Sequence, residues 1–221
     1  MQIQNRHKYT DGLDDLDPYF TCPEAIDSLI ALEGNRLPQK LWEPAAGDGA
    51  IVRRLCKTGR TVLASDIHDY GLPGCRIVDF FAMPPPPRGR IDGIVTNPPY
   101  KIALAFAQKA ISEVPYVAML VRSNFATEGV RRDQFFEEYP PTRTWLSSRR
   151  LPMMHRNGWA GKRAPNNTPY CWLVWEQGAE REFLHRFDWR KVLGLELPDR
   201  SKQGARMATQ VMKVPGLVGR R

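Results

Sequence analysis

A short apolar run that ends in a rigid polar corner restricts the possible folds of this chain more than any other stretch. Residues 91–96 (IDGIVT) have the pattern of a buried strand, and the tetrapeptide 97–100 (Asn-Pro-Pro-Tyr) follows directly. Each proline fixes its own φ angle, lacks an N–H group and drives the preceding residue towards an extended conformation. The corner is therefore expected to hold the Asn97 amide and the Tyr100 ring in a fixed relation.

A helix is predicted directly after this corner, because small and apolar residues recur there at helical spacing: Ala103, Phe106, Ala107 and Ala110. Strand, corner and helix in this order are typical of open α/β sheets, which bind ligands outside the carboxyl ends of their strands. An exocyclic amino group on a planar ring suits the corner, because Asn97 can accept its hydrogen and Tyr100 can stack on the ring. Asn and Pro also dominate ordinary turns, so the corner alone leaves a simple turn open.

A loop of small residues lies between a second strand and a second helix, upstream of the corner. Residues 37–42 lead into a short strand, 43–49 (EPAAGDG) form the loop, and the apolar positions from Ile51 to Cys56 are helical in spacing. Small residues in such a loop let a ligand approach the backbone, whose N–H groups point at it. The loop is therefore a candidate cofactor site.

Two acids follow at the ends of further short strands. Asp66 ends the strand 61–64 about 20 residues after the glycines, which is the spacing at which an acid binds a ribose diol. Asp79 precedes Phe80, and such a pair could hold an adenine through the carboxylate and the ring face. An isolated Asp is also common as a helix cap or turn residue, and that alternative stays open for both acids.

The alternation of strands and helices predicts an α/β fold with a mostly parallel sheet and helices on both faces. Seven strands are expected, the last three at 116–121, 143–151 and 170–175, with a helix at 130–139. Three segments are predicted: an N-terminal arm (1–20), one domain (21–178) and a basic C-terminal tail (179–221) that contains one helix at 181–193.

The charge distribution favours a polyanionic partner. The net charge is +8, and residues 142–175 contain no acid. Within this stretch, the segment 155–163 combines basic and aromatic side chains that could contact phosphate and cover a base, namely Arg156, Trp159, Lys162 and Arg163. An ordinary solvated loop is the alternative.

The remaining composition predicts a cytoplasmic protein. The four cysteines are scattered without a Cys-x-x-Cys pair, which argues against a disulfide framework and a standard zinc site. No apolar run approaches the ~20 residues of a membrane span, and the first residues lack a signal-peptide core. We therefore expect no membrane and no metal partner.

In order and spacing, these motifs resemble those of the S-adenosylmethionine-dependent amino methyltransferases, specifically the N6-adenine DNA methyltransferases. The likeness covers residues 18–176, and its N-terminal Thr-x-Pro-Glu motif is typical of the γ-type motif order. Five elements match. Residues 21–26 resemble the family's N-terminal motif, 43–49 its cofactor loop and 97–100 its catalytic motif. Asp66 resembles the acid that binds the ribose, and Asp79-Phe80 resembles the motif that binds the cofactor's adenine.

The resemblance implies a single Rossmann-like methyltransferase domain and a role for each matched residue. The implied S-adenosylmethionine site consists of Thr21, Glu43, Ala45, Gly47, Gly49, Asp66, Ile67, Asp79, Phe80 and Asn97. Asn97 and the Pro98 carbonyl would accept the two hydrogens of the target amino group, while Tyr100, beside Pro99, would stack on a base flipped out of the duplex.

The resemblance is incomplete in two respects. Lys101 follows the motif where the family usually has a small residue, and the chain has no room for a large target-recognition domain. These departures predict a compact, phage-like or orphan enzyme with a short target, in which the segment 155–163 substitutes for that domain.

Several substrates fit the corner, and the basic charge favours nucleic acid. Methylation of adenine N6 in DNA is the main hypothesis. RNA adenine, a protein glutamine N5 and cytosine N4 are alternatives, although cytosine enzymes usually carry Ser or Asp in place of Asn97. A non-catalytic nucleic-acid-binding module is the alternative from a different class. The sequence leaves the oligomeric state open.

Overall fold

The computed structural model describes residues 21–87, 89–126, 129–153, 168–181 and 184–195. The helices are α1 (Pro23–Glu33), α2 (Ala50–Cys56), α3 (Ala103–Glu113), α4 (Val130–Glu138) and α5 (Trp189–Val192). The strands are β1 (Lys40–Glu43), β2 (Thr61–Asp66), β3 (Arg76–Ile77), β4 (Gly93–Thr96), β5 (Tyr116–Arg122), β6 (Arg143–Ser147), β7 (Tyr170–Glu176) and β8 (Leu184–Phe187). The predicted helix after the corner is confirmed as α3.

The strands form one sheet in the order β3-β2-β1-β4-β5-β7-β6-β8. β7 is antiparallel to β5 and β6, and the other neighbouring pairs are parallel, which confirms the predicted mostly parallel sheet. The strand order reverses between β1 and β4. The loops that follow these two strands therefore emerge side by side at a switch point, where open α/β sheets bind ligands.

Helices cover both faces of the sheet, as predicted. Alternate residues of β5 belong to two separate cores: Ala118 packs with α1, α2 and α5 on one face, and Met119 packs with α3 and α4 on the other. This alternation follows from the two-residue period of a strand, and β5 is buried on both faces because it lies in the middle of the sheet.

The predicted seven strands and the helix at 181–193 are wrong. An eighth strand, β8, pairs in parallel with β6, and only the short helix α5 follows it. The strand alternates between exposed and inward side chains: Leu184 is exposed, His185 stacks on Trp145 at 4.6 Å between ring centroids, and Phe187 is buried. This two-residue period outweighs the helical propensity of the segment, so the sheet extends beyond the predicted boundary at residue 178.

A buried ion pair ties the end of α1 to the antiparallel part of the sheet. Arg143 donates to both carboxylate oxygens of Glu33, at 3.1 and 2.8 Å, and to Glu176 at 2.5 Å. Tyr116 and Trp145 also donate to Glu33. Removing one partner of such a pair costs about 3–5 kcal/mol, because it leaves a buried charge uncompensated. Arg143, although it belongs to the acid-free stretch, therefore has a structural role.

Candidate active site

The N-terminus of α1 and the corner after β4 meet through one hydrogen bond. Cys22 is the N-cap and Pro23 the first residue of α1, a position proline favours because its missing N–H is not needed there. The preceding residue, Thr21, is buried, and its Oγ1 accepts a hydrogen bond from Asn97 Nδ2 at 3.1 Å. The bond joins residues 76 positions apart and fixes the direction of the Asn97 amide.

Thr21 and Asn97 line a cleft together with residues of the loop that follows β1. The other lining residues are Ala45, Ala46, Gly47, Asp48, Ala50 and Ile51. The structure thus brings together the three motifs that sequence reasoning assigned to cofactor and target. Small side chains dominate this wall of the cleft, so a ligand can reach the backbone.

Asp66 holds the loop in place from the end of β2. Its Oδ2 accepts the Gly47 N–H at 2.8 Å, and its Oδ1 accepts the His68 N–H at 3.0 Å. Gly47 has φ +53°, a left-handed conformation that favours glycine. The sequence left Asp66 open between a ligand-binding acid and a cap or turn residue, and the structure shows that its carboxylate organises the loop.

Gly49 is required at the start of α2 for two reasons. Its φ is +83°, which side chains disfavour, and a Cβ there would lie 2.4 Å from Leu72 Cδ1. The chain therefore passes from the loop into α2 through a position that accommodates only glycine without rearrangement.

Glu43, at the end of β1, is a fully buried carboxyl below the loop. Its Oε1 accepts the Ala45 N–H at 3.0 Å, while Oε2 has no hydrogen-bond partner among the described residues. Burial raises the pKa of Glu43 well above its usual value, and the nearby charge of Asp66 raises it further. A positively charged group bound at this loop would compensate the carboxylate, so the site suits a cationic ligand.

The two residues of the predicted adenine motif, Asp79 and Phe80, differ in their exposure to solvent. Asp79 is half-buried and caps a short 3₁₀ turn, since its Oδ1 accepts the Phe81 N–H at 2.9 Å. Phe80 is buried in the core and stacks on Phe106, with ring centroids 4.7 Å apart. Ile67, by contrast, is 56% exposed beside Asp66 and offers free apolar surface for a ring.

The Tyr100 ring is held by two residues that sequence reasoning did not assign to the site. Its hydroxyl forms a 2.7 Å hydrogen bond with the Tyr170 hydroxyl, and the Arg122 guanidinium lies 4.1 Å from its ring centroid. Burial raises the pKa of Tyr100 above its usual value, so the phenol is neutral. Arg122 directly follows the most apolar strand, which was the only signal in the sequence for its position.

The segment predicted to contact nucleic acid lies outside the described residues, with its four candidates Arg156, Trp159, Lys162 and Arg163. The first residues described after this segment contact the end of β5 and the corner. Pro169 O accepts the Ser123 N–H at 2.9 Å, and the next residue is Tyr170, which bonds to Tyr100. Tyr170 therefore lies beside Tyr100 of the corner.

Among the described residues, no three His, Cys, Asp or Glu side chains are grouped to hold a metal. The same ranges contain no helix that is long and apolar enough to cross a membrane.

Comparison with known proteins identifies the fold. No family model matches the sequence, and neither does any curated protein. A protein named as the modification subunit of a type I restriction enzyme from Vibrio vulnificus has TM-score 0.56 and 10% identity, over 92% of this chain and 55% of that chain. The M protein of the type I restriction enzyme EcoKI has TM-score 0.54 and 14% identity, over 76% and 46% of the two chains.

A protein named as an RNA methyltransferase from Pyrococcus horikoshii is similar too, with TM-score 0.52 and 14% identity, over 72% of this chain and 86% of that one. This chain spans about half the length of the two restriction-enzyme subunits it matches. At these identities the likeness establishes the fold alone, which is a Rossmann-like α/β fold.

Proposed function

We propose that this chain is an S-adenosylmethionine-dependent methyltransferase that methylates the N6 amino group of adenine in DNA, with the γ-type motif order. The observation that carries the proposal is the Thr21–Asn97 hydrogen bond, because it places the Asn-Pro-Pro-Tyr corner and the glycine loop on one cleft. A methyl donor and an amino acceptor must meet within contact distance for direct transfer.

S-adenosylmethionine, when bound, supplies a methyl group on a positively charged sulfur. The residues of the loop fit this molecule. A cation bound there would compensate the buried carboxyl of Glu43, and the small side chains of residues 45–47 would let a ligand approach closely. Asp66, although bonded to two backbone N–H groups, keeps lone pairs for a ribose hydroxyl, and Ile67 offers apolar surface. Asp79 and Phe80 complete the proposed cofactor set.

The corner would activate the target nitrogen by orientation and electrostatics. Asn97 Oδ1 and the carbonyl of Pro98 would accept the two amino hydrogens, which pulls the nitrogen from planar towards pyramidal and directs its lone pair at the methyl carbon. S-adenosylmethionine held at the loop would supply the methyl group to this lone pair and keep the S–C bonding electrons on its sulfur, while one amino proton would leave to solvent. Acceptors fixed before the reaction stabilise this geometry in the transition state only.

Three observations support DNA as the substrate. Two proteins of similar fold are modification subunits of restriction enzymes. The chain carries a net charge of +8. The sequence of the segment 155–163 carries Arg156, Lys162 and Arg163, which suit contacts with phosphate.

The test is methylation of purified polymers with radiolabelled S-adenosylmethionine. Unmethylated plasmid DNA, total RNA and a protein extract are incubated separately with the wild-type chain and with Asn97→Ala. We expect label in DNA, in a nucleoside that co-migrates with N6-methyldeoxyadenosine, and none with the variant. Label confined to RNA would favour the second candidate, an RNA adenine methyltransferase, which the fold of the Pyrococcus horikoshii protein also suits. Label confined to protein would exclude both.

A further inference from the structure

We propose that Tyr170 and Arg122 are positioning residues that fix the Tyr100 ring as a platform for the target base. This inference rests on the proposed function, since Tyr100 is the side chain expected to stack on the flipped base. The three residues come from separate elements: Tyr100 follows β4, Arg122 ends β5 and Tyr170 begins β7.

The hydroxyl contact fixes the edge of the ring. Tyr100 Oη and Tyr170 Oη lie 2.7 Å apart, and Tyr170 is only 1% exposed, so its own ring cannot rotate away. A buried hydroxyl that loses its partner carries the full cost of its desolvation, which makes this bond strongly favoured over an open arrangement. The bond therefore sets how far the Tyr100 ring projects.

The guanidinium fixes the plane of the ring. The Arg122 carbon Cζ lies 4.1 Å from the Tyr100 centroid, which is stacking distance for a planar cation on an aromatic face. A base that stacks on Tyr100 would do so on the other face, giving the order guanidinium, phenol, base.

The pairing of β5 with β7 explains how both residues come to lie at the corner. β5 and β7 pair antiparallel with Arg122 opposite Tyr170, so the end of one strand and the start of the other carry both residues to the corner. The backbone bond from Ser123 to Pro169 extends this pairing by one step. The platform is therefore built by the antiparallel insertion of β7, which the corner motif itself does not encode.

A double-mutant cycle tests the proposal. Tyr100→Phe and Tyr170→Phe each keep the ring and remove one hydroxyl of the pair. The control is Tyr116→Phe, which removes another buried tyrosine hydroxyl, bonded to Glu33 at 3.0 Å, at the opposite end of β5. For each variant, kcat and KM are measured with unmethylated plasmid DNA and with S-adenosylmethionine, together with Tm, at a temperature well below unfolding.

We expect each single Phe variant of the pair to lose about tenfold in kcat/KM for DNA, the size of one buried hydrogen bond. The double variant should lose no more than either single variant, because both remove the same bond. KM for S-adenosylmethionine should stay within about twofold of wild type, as expected when ground-state cofactor contacts are unchanged. Tyr116→Phe should lower Tm and leave kcat/KM unchanged.

Arg122→Lys gives the second arm. Lysine keeps the charge but lacks the planar group. We therefore expect this variant to lose about fivefold in kcat/KM for DNA relative to wild type, with KM for S-adenosylmethionine unchanged.

Three results would overturn the inference: a Tyr170→Phe enzyme as active as wild type, a double variant with the product of the two single losses, or a loss matched by Tyr116→Phe. A wild-type chain that methylates no nucleic acid would overturn the proposed function as well. An active wild type with unaffected variants would overturn the inference alone.

Discussion

The two sides of the cleft are built differently. On the loop side, between β1 and α2, small residues form most of the surface, and Glu43 and Asp66 organise the loop by accepting the N–H groups of Ala45 and Gly47. On the corner side, two large side chains from different strands, Arg122 of β5 and Tyr170 of β7, contact the Tyr100 ring, which follows β4. The loop side depends on backbone conformation, and the corner side depends on side-chain packing.

This difference indicates which changes each side tolerates. A ligand that binds a backbone loop is sensitive to residues that alter φ or fill space, while a stacking platform is sensitive to the loss of one aromatic or cationic partner. Substitutions on the two sides should therefore separate cofactor binding from turnover on the target.

The largest effect is expected at Asn97, which lies between the two sides. Asn97→Ala should lower kcat by at least about 10²-fold, the scale for removing one fixed acceptor at a reacting centre. S-adenosylmethionine binding, measured by calorimetry, should be largely retained, because Asn97 contributes one of many contacts on the loop side. An enzyme that keeps its turnover after this change would refute the proposed role of the corner.

The next largest effect should separate the two sides. Asp66→Ala removes the acceptor of the Gly47 and His68 N–H groups, so the loop loses its support. We expect the affinity for S-adenosylmethionine to fall about 10–100-fold, the range for one or two charge-assisted hydrogen bonds. Asp69→Ala is the control, since this nearby acid bonds only to Gly71 N in an exposed turn. Equal losses for the two variants would contradict the assignment of Asp66.

Two glycines test whether the loop side depends on backbone shape. Gly49 and Gly59 have nearly equal φ angles, +83° and +82°, but only at Gly49 would a Cβ meet a neighbour, Leu72. Gly59→Ala should lower the free energy of unfolding by about 1 kcal/mol through strain alone. Gly49→Ala should lower it by about 2–3 kcal/mol, because overpacking adds to that strain. Denaturant titration measures both, and equal losses would show that Leu72 moves freely.

The smallest effect concerns the charge of Glu43. Its pKa is raised by burial, so the folded chain holds this proton to higher pH than the unfolded chain does. Stability therefore falls as pH rises above the unfolded pKa of about 4.5, until the folded pKa is passed. Glu43→Gln removes this dependence. For each kcal/mol of unfolding free energy that the wild type loses in this way, the Tm of the variant should exceed that of wild type by about 2–4 °C at pH 8. A Tm difference that is the same at pH 5 and pH 8 would contradict the pKa shift.

The loop side could be predicted from sequence because its determinants are local. The small residues 45–49, Asp66 and the strand before each lie within one βαβ unit, and their spacing alone indicates the contacts. Phe80 shows the limit of this reasoning: the motif predicts a ring that covers an adenine, but the ring is buried in the core and stacks on Phe106.

The corner side could not be predicted in full, because its partners are set by strand order. Arg122 and Tyr170 are 48 positions apart in the sequence and meet only because β7 inserts antiparallel beside β5. Likewise, β8 was missed because its four residues (LHRF) place His and Arg next to each other between two apolar residues, which gives no alternating apolar pattern. Pairing partners of short strands are a tertiary property.

The central claim is that the corner methylates adenine N6 in DNA. Its most direct test is mass spectrometry of nucleosides from unmethylated plasmid DNA after incubation with S-adenosylmethionine and the purified chain. The account predicts N6-methyldeoxyadenosine with the wild type and its absence with Asn97→Ala. Methylated cytosine in place of adenine, or equal N6-methyldeoxyadenosine with both proteins, would contradict it.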